Sequence, residues 1–196
     1  MKLIAIAGGS GSGKTTLSRL IVKESPEDCL LISLDNYYVN EQEQIIKNGF
    51  CNFDHSLSMN KEMLLKNIEE LNGCGETTIP QYCFKKRDRI GYLKVKKTSI
   101  IIVEGLYSIE FLKDIVATKI FIDVDSDVLL ARRIKRDLVD RGRSLDGILD
   151  QYLTYVKPAY DNYIINQKQL ADLSIKNNSQ DPGSLLSELK EMRLVC

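Results

Sequence analysis

Residues 8–15 read Gly8-Gly9-Ser10-Gly11-Ser12-Gly13-Lys14-Thr15, which satisfies the pattern G-x-x-x-x-G-K-[ST]. Glycine makes up about 7% of ordinary sequences, so a chance match in a chain of this length falls well under roughly one in a hundred. The chemistry such a run supports is phosphate binding. Glycines let consecutive backbone N–H groups turn toward phosphate oxygens, and a helix that follows adds partial positive charge at its N-terminus. Lys14 supplies a mobile charge for the β- and γ-phosphates, the Thr15 hydroxyl suits a magnesium ion, and Thr16 carries the loop into the helical pattern. A glycine-rich turn alone would not require Lys-Thr after its last glycine.

Two carboxylates end apolar runs. Asp35 follows CLLISL, and Glu104 follows SIIIV. In open α/β sheets ligands sit beyond the carboxyl ends of the strands. There a carboxylate can order a metal ion or take the proton from an attacking hydroxyl. Each has a plain alternative, Asp35 as a loop cap and Glu104 as the partner of a surface lysine. Beside a phosphate loop the chemical reading is favoured. Asp35 opens LDNYY, a loop with room for a substrate, which makes Tyr37 a candidate contact.

A third group is ARRIKRDLVDRGR at 131–143. Helical spacing puts Arg132 and Arg136 on one face with Arg133 beside them, and Arg141-Gly142-Arg143 follows as a turn. Such a run is commonly a solvated helix. Only Asp137 and Asp140 oppose its charge, however, so it also fits a lid that closes over a triphosphate.

These residues need a scaffold. The chain has 196 residues, 43% hydrophobic and 28% charged, with Lys plus Arg equal to Asp plus Glu at 27 each. That length fits one folded unit with a small insertion. A net charge of zero offers no global field for nucleic acid or an anionic membrane. Five cysteines without C-x-x-C spacing argue against a disulfide framework or structural zinc and for a reducing compartment. No leader or spanning run is apparent, so the expected location is cytoplasmic.

Apolar runs at 3–7, 29–34, 99–105, 119–125 and 171–175 read as buried strands of a parallel sheet. Helical periodicity runs through 14–24 and from Asn60 to Leu71, where Gly73 is placed to stop it. Ser126 and Ser144 are predicted caps of two further helices. The second runs through Tyr152 and Tyr155 and is expected to kink or break at Pro158. Residues 77–84 and 90–95 alternate and flank the basic turn KKRDR, predicting a hairpin projecting from the sheet edge. The predicted fold class is α/β: a P-loop NTPase-type three-layer domain with a parallel five-stranded sheet, a small β-hairpin substrate subdomain and an arginine-rich helical lid. One P-loop domain is expected over 1–196, with the hairpin at about 76–97 and the lid at about 131–145.

GGSGSGKTTL, SLDNYY, NFDH, IPQY, EGL and DVDSDVLLARRIKRD…RGRSLDGILDQYLTYVKPAY occur in this order. In that set and order, from about residue 3 to about residue 175, the sequence resembles the uridine–cytidine kinase family. The resemblance implies transfer of the γ-phosphate of ATP (or GTP) to the 5′-hydroxyl of uridine or cytidine, with Asp35 as base. It implies magnesium on Thr15 and Glu104, and nucleotide phosphates against Arg136 and Arg141. It places Tyr82, Arg133, Arg143 and Gln151 around the nucleoside, and it implies a homo-oligomer. Nucleic-acid and membrane partners are not expected.

The chain departs from the family's pattern at several points. After NFDH the family continues with a proline and an acid that holds the ribose; here those positions are Ser56 and Leu57. Y-D-F becomes Tyr82-Cys83-Phe84, and Arg87 replaces a histidine that reads the base. The C-terminal stretch around ADLSI continues as IKNNSQDPG in place of the family's glycine-rich adenine loop. Leu57 and Arg87 therefore leave open another small alcohol as acceptor: nicotinamide riboside, a sugar phosphate or a pantothenate-like compound. A non-catalytic nucleotide-binding regulator is a further alternative, opposed by the presence of both Asp35 and Glu104. His55, the one histidine, reads as a residue that holds its loop by hydrogen bonds, and Asp35 as the group that moves the proton.

Overall fold

The computed structural model describes residues 1–139, 141–179 and 187. The altered end of the chain beyond Ser179, and Asp140 in the arginine run, lie outside them. Five strands form one parallel sheet: β1 (Lys2–Gly8), β2 (Cys29–Ser33), β5 (Ile100–Glu104), β6 (Thr118–Asp123) and β7 (Leu173–Lys176). Their spatial order is β2-β5-β1-β6-β7. Alternate side chains divide the core between the two faces. Leu3, Ala5, Ala7, Ile101, Val103 and Phe121 pack on one side. Ile4, Ile6, Ile100, Ile102, Ile120 and Ile122 pack on the other. Each fully buried isoleucine contributes about 1.5–3 kcal/mol over its exposed state, which is why these strands read as continuous apolar runs.

Helix α1 (Lys14–Glu24) covers the second face with Leu17 and Ile21, joined by Leu129 of α5 (Ser126–Val139). The first face carries α3 (Lys61–Gly73) and α4 (Ser108–Leu112), together with a 3₁₀ turn at Leu34–Tyr37. Short α2 (Glu41–Asn48), capped by Asn40, and α4 were not anticipated. α5 begins at Ser126 itself, one residue earlier than predicted, because the Leu129 N–H already donates to the Asp125 carbonyl. α3 runs through Gly73, and the left-handed glycine after it is Gly75 (φ 79°).

The predicted hairpin is present as β3 (Glu76–Cys83) and β4 (Asp88–Lys96), with a bulge between Gln81 and Tyr82. It forms its own two-stranded sheet and is not hydrogen-bonded to the edge of the parallel one. Ile79 and Val95 anchor it in the core of the first face. Pro158 does not break its segment. α6 (Leu145–Gln151), capped by Ser144, runs into a π-helical turn at Tyr152–Val156, then one α-turn at Lys157–Ala159 and a second π turn at Tyr160–Ile164. The wider π register precedes the proline, so its missing N–H falls where the hydrogen-bond ladder is already shifted.

Gly105 ties the sheet to the loop that carries Asp35. A Cβ there would collide with the Cβ of Leu34, closer than real carbon contacts allow. Gly105→Ala should therefore cost roughly 1–3 kcal/mol of stability by overpacking. The check is a denaturant melt beside wild type.

Candidate active site

The loop after β1 is shaped for an anion. Gly13, at φ 99°, closes it, and α1 begins without a side-chain cap or an acid in its first turn. Its first N–H groups are left without intrahelical acceptors, the arrangement that binds phosphate. The Lys14 ammonium donates to the carbonyls of Gly8 (3.1 Å) and Gly9 (2.9 Å). Burial lowers its pKa, against the opposing fields of Glu104 and Asp35.

Glu104 ends β5, buried between its neighbours. Its Oε1 accepts from the Thr15 hydroxyl (3.2 Å) and the Ser33 hydroxyl (2.8 Å). Two residues after Ser33, Asp35 opens onto a cavity of ≈ 670 Å³. Asp35 itself is exposed, but its surroundings are the walls of that cavity rather than open water. That desolvation, with the nearby charge of Glu104, raises its pKa to about 6, although Lys14, Arg141 and Arg136 pull the other way.

Of the phosphate-loop residues, Ser10, Gly11, Gly13, Lys14, Thr15 and Thr16 line this cavity, with Glu104 beneath them. Ser12 is buried behind the loop. Against the loop stand Arg132, Arg133 and Arg136, and Arg141, Arg143 and Gln151 also line the cavity. Arg133 is 4% exposed; it donates to the Ser10 hydroxyl (3.1 Å) and to Gln151 Oε1 (3.0 Å). Arg143 donates to the same Gln151 oxygen. Arg136 reaches Ser10 at 3.3 Å. Arg132 is committed elsewhere, donating to the carbonyls of Asn178 (2.9 Å) and Gly11 (3.4 Å).

The remaining wall is aromatic. Tyr38, Phe53 and Phe84 line the cavity, and Tyr82 packs against all three at ring distances of 5.6, 6.3 and 5.4 Å. The Arg141 guanidinium lies 5.4 Å over Phe84. The buried Tyr82 hydroxyl has no hydrogen-bond partner among the described residues.

Three expectations change. Tyr37 does not meet the cavity; it is fully buried, its hydroxyl donating to Asn67 Oδ1 at 3.0 Å, and Tyr38 takes the cavity side. The 3₁₀ turn starts at Leu34, so strand alternation no longer tells which tyrosine faces out. Leu57 is 53% exposed and away from the cavity lining, whereas Asp54 of NFDH lines it. No acid is therefore lost to Leu57 at this wall. Arg87 does line the cavity, but it is ion-paired with Glu41 of α2. The Glu41 N–H also donates to the Arg87 carbonyl (3.2 Å), with Arg87 in the left-handed region at φ 52°. Its charge is thus partly offset by Glu41.

Asp54 was missed because its signal is a loop geometry. Asn52 Oδ1 accepts from the Asp54 N–H (2.9 Å), and the hydroxyls of Tyr38 and Tyr107 donate to the Phe53 and Asp54 carbonyls (2.6 and 2.7 Å). Burial raises the pKa of Asp54, opposed by Arg133, Arg136 and Arg141. His55 holds this loop as expected: its Nδ1 accepts from the Leu57 N–H at 3.2 Å.

Residues 3–181 match the model of the phosphoribulokinase/uridine kinase family. The chain belongs to that family. Among its relatives, a uridine kinase of Halobacterium salinarum is 37% identical over 194 residues, covering 95% of this chain and 85% of the relative. Uridine-cytidine kinase A of Dictyostelium discoideum is 41% identical over 184 residues, covering 91% of this chain but 36% of that longer protein. The fold is shared with phosphoribulokinase from Rhodobacter spheroides at a TM-score of 0.66 and 17% identity, covering 89% of this chain and 69% of that one. The parallel sheet and its phosphate loop are thus a family scaffold. Among the described residues no helix is long and apolar enough to cross a membrane.

Tyr37→Phe should leave acceptor KM unchanged. It should lower stability by roughly 1–3 kcal/mol, since Asn67 Oδ1 loses its buried donor. Steady-state kinetics and a thermal melt on the same sample check both halves.

Proposed function

We propose that this protein is a nucleoside kinase that moves the γ-phosphoryl group of ATP or GTP to the 5′-hydroxyl of uridine or cytidine. The observation that carries the reading is the placement of Asp35. Its carboxyl opens onto the same cavity as the phosphate loop, Glu104, the arginines and the aromatic wall. A base poised near the working pH is what proton transfer from an alcohol calls for.

The acceptor oxygen gives its proton to the Asp35 carboxylate as it bonds to the γ-phosphorus. The bond from that phosphorus to the bridging oxygen breaks, and the electron pair leaves with the nucleoside diphosphate. Lys14 and the N–H groups opening α1 bind the phosphates, while Arg136 and Arg141 face the charge spread over the transferring group. Thr15 and Glu104 form an all-oxygen donor set of the kind Mg²⁺ takes, with their oxygens 3.2 Å apart. Bound there, the ion would neutralise charge on the β- and γ-phosphates.

On the acceptor side the Asp54 carboxylate suits a ribose diol, and Arg133, Arg143 and Gln151 line the pocket beside it. Tyr38, Phe53 and Phe84 provide flat surfaces for a base, backed by the free hydroxyl of Tyr82. Residues 131–145 act as the lid and the hairpin as the acceptor-side insertion of one kinase domain. The case for a different alcohol rested on Leu57 and Arg87; Leu57 is not among the cavity's lining residues, and Arg87, which is, is ion-paired with Glu41, so both observations favour the nucleoside reading.

The test is ADP release with uridine, cytidine, nicotinamide riboside or no acceptor, each with ATP and GTP. Turnover on uridine or cytidine is expected. Turnover only on another alcohol, or none with nucleotide still bound, would overturn the proposal. Asp35→Asn should lower kcat by about 10²–10⁴-fold while ADP affinity holds. The wild-type kcat/KM should fall about tenfold per pH unit below about 6, because the base works only when ionised. A pH profile of the wild type, and the absence of that limb in the residual activity of Asp35→Asn, check the assignment.

A further inference from the structure

Asp137 belongs to none of the roles above, yet four cavity arginines converge on it. It lies on α5 and is 0% exposed. The Nε of Arg136 donates to its Oδ1 at 2.8 Å. Arg141 approaches Oδ1 at 3.5 Å, and Arg143 and Arg133 approach Oδ2 at 3.6 and 3.7 Å. The Arg143 N–H closes the loop onto the Asp137 carbonyl at 3.1 Å. All four arginines line the cavity, and Asp137 does not.

Stability alone is a poor account of this cluster. Buried ion pairs recover their desolvation cost only with full hydrogen bonding. Here Asp137 Oδ2 and Arg133 Nε have no hydrogen-bond partner among the described residues. Three of the four pairs are held at ion-pair distance rather than by a hydrogen bond. A guanidinium has five N–H donors. Asp137 therefore fixes where Arg141 and Arg143 sit while leaving their donors for an anion. One carboxylate against four arginines, with Asp54 assisting only Arg133 at 3.8 Å, also leaves net positive charge facing the cavity.

We propose that Asp137 is a positioning residue that presets the lid arginines for the transferring phosphoryl group. It acts through Arg136, Arg141 and Arg143 and touches no substrate. The arrangement before binding then already resembles the one that catalysis needs, so little reorganisation is left for the chemical step. The inference rests on the kinase reading for its substrate.

The test compares wild type, Asp137→Asn and Asp137→Glu for kcat, nucleotide KM, ADP affinity by calorimetry and thermal midpoint. Wild-type turnover on uridine or cytidine judges the kinase reading separately. If no acceptor is found, the variant ratio is read on slow ATP hydrolysis instead. Asp137→Asn is expected to lose about 10²-fold in kcat, the scale of a small misplacement in an active site, while ADP affinity stays within about threefold. Asp137→Glu, which keeps the charge one methylene further out, should recover part of that loss. A kcat within about threefold of wild type in Asp137→Asn would overturn the proposal, as would a loss of ADP affinity in step with kcat. Should Asp137→Asn fail to fold, Asp137→Glu decides. A lowered kcat at unchanged ADP affinity supports positioning, and a wild-type kcat overturns it.

Discussion

The parallel register around β5 is the constraint from which the site follows. Glu104, its last residue, stands level with Ile6 of β1 and with Ser33 of β2. Two residues beyond Ile6 the phosphate loop begins, and two beyond Ser33 stands Asp35. A one-residue slip on either side would turn every apolar side chain of that strand onto the wrong face. The two cores therefore enforce the alignment that brings Thr15 and Ser33 onto one oxygen of Glu104. The packing that stabilises the sheet and the geometry that groups the acids are one requirement.

Charge is segregated around that point. Glu104 ends β5 and Asp35 sits in the 3₁₀ turn directly after β2, while the arginines come from α5 and the turn after it. Their separation across the cavity is what lets Asp35 sit near a pKa of about 6. Desolvation and Glu104 push it up, and Lys14 with the arginines limits the rise. Arginines placed closer would favour its ionised form and make it a weaker base; removing them would let desolvation and Glu104 raise it further.

The sequence disclosed whatever is local. The phosphate loop announces itself through closely spaced glycines, and each strand through a run buried on both faces, so Asp35 and Glu104 could be found as strand ends. Long-range pairing was not legible. Glu41 of α2 and Arg87 of the hairpin turn are joined, and nothing near either residue in the sequence marks the other. Parity was lost where regular structure stopped: the 3₁₀ turn exchanged Tyr37 for Tyr38, and the tight loop at 52–55 put Asp54 forward and left Leu57 outside. Asp137 was hidden by its setting. An acid in an arginine-rich helix looks like a partial neutraliser of a solvated face, and only burial shows that the arginines are arranged around it.

Arg133 carries the synthesis one step further. It holds Ser10 of the phosphate loop and Gln151 of α6 by hydrogen bonds, and it lies within ion-pair reach of both Asp54 and Asp137. The phosphate loop, the loop at 52–55, α5 and α6 thus meet at one buried guanidinium. A planar group with five donors can serve such a junction, whereas a lysine's single ammonium has neither the reach nor the fixed directions. Because the group is almost wholly buried, any movement of α5 must either carry Arg133 with it or expose Asp54 and Ser10 without their partner. The cheaper course is for α5, the loop at 52–55 and the phosphate loop to move as a unit.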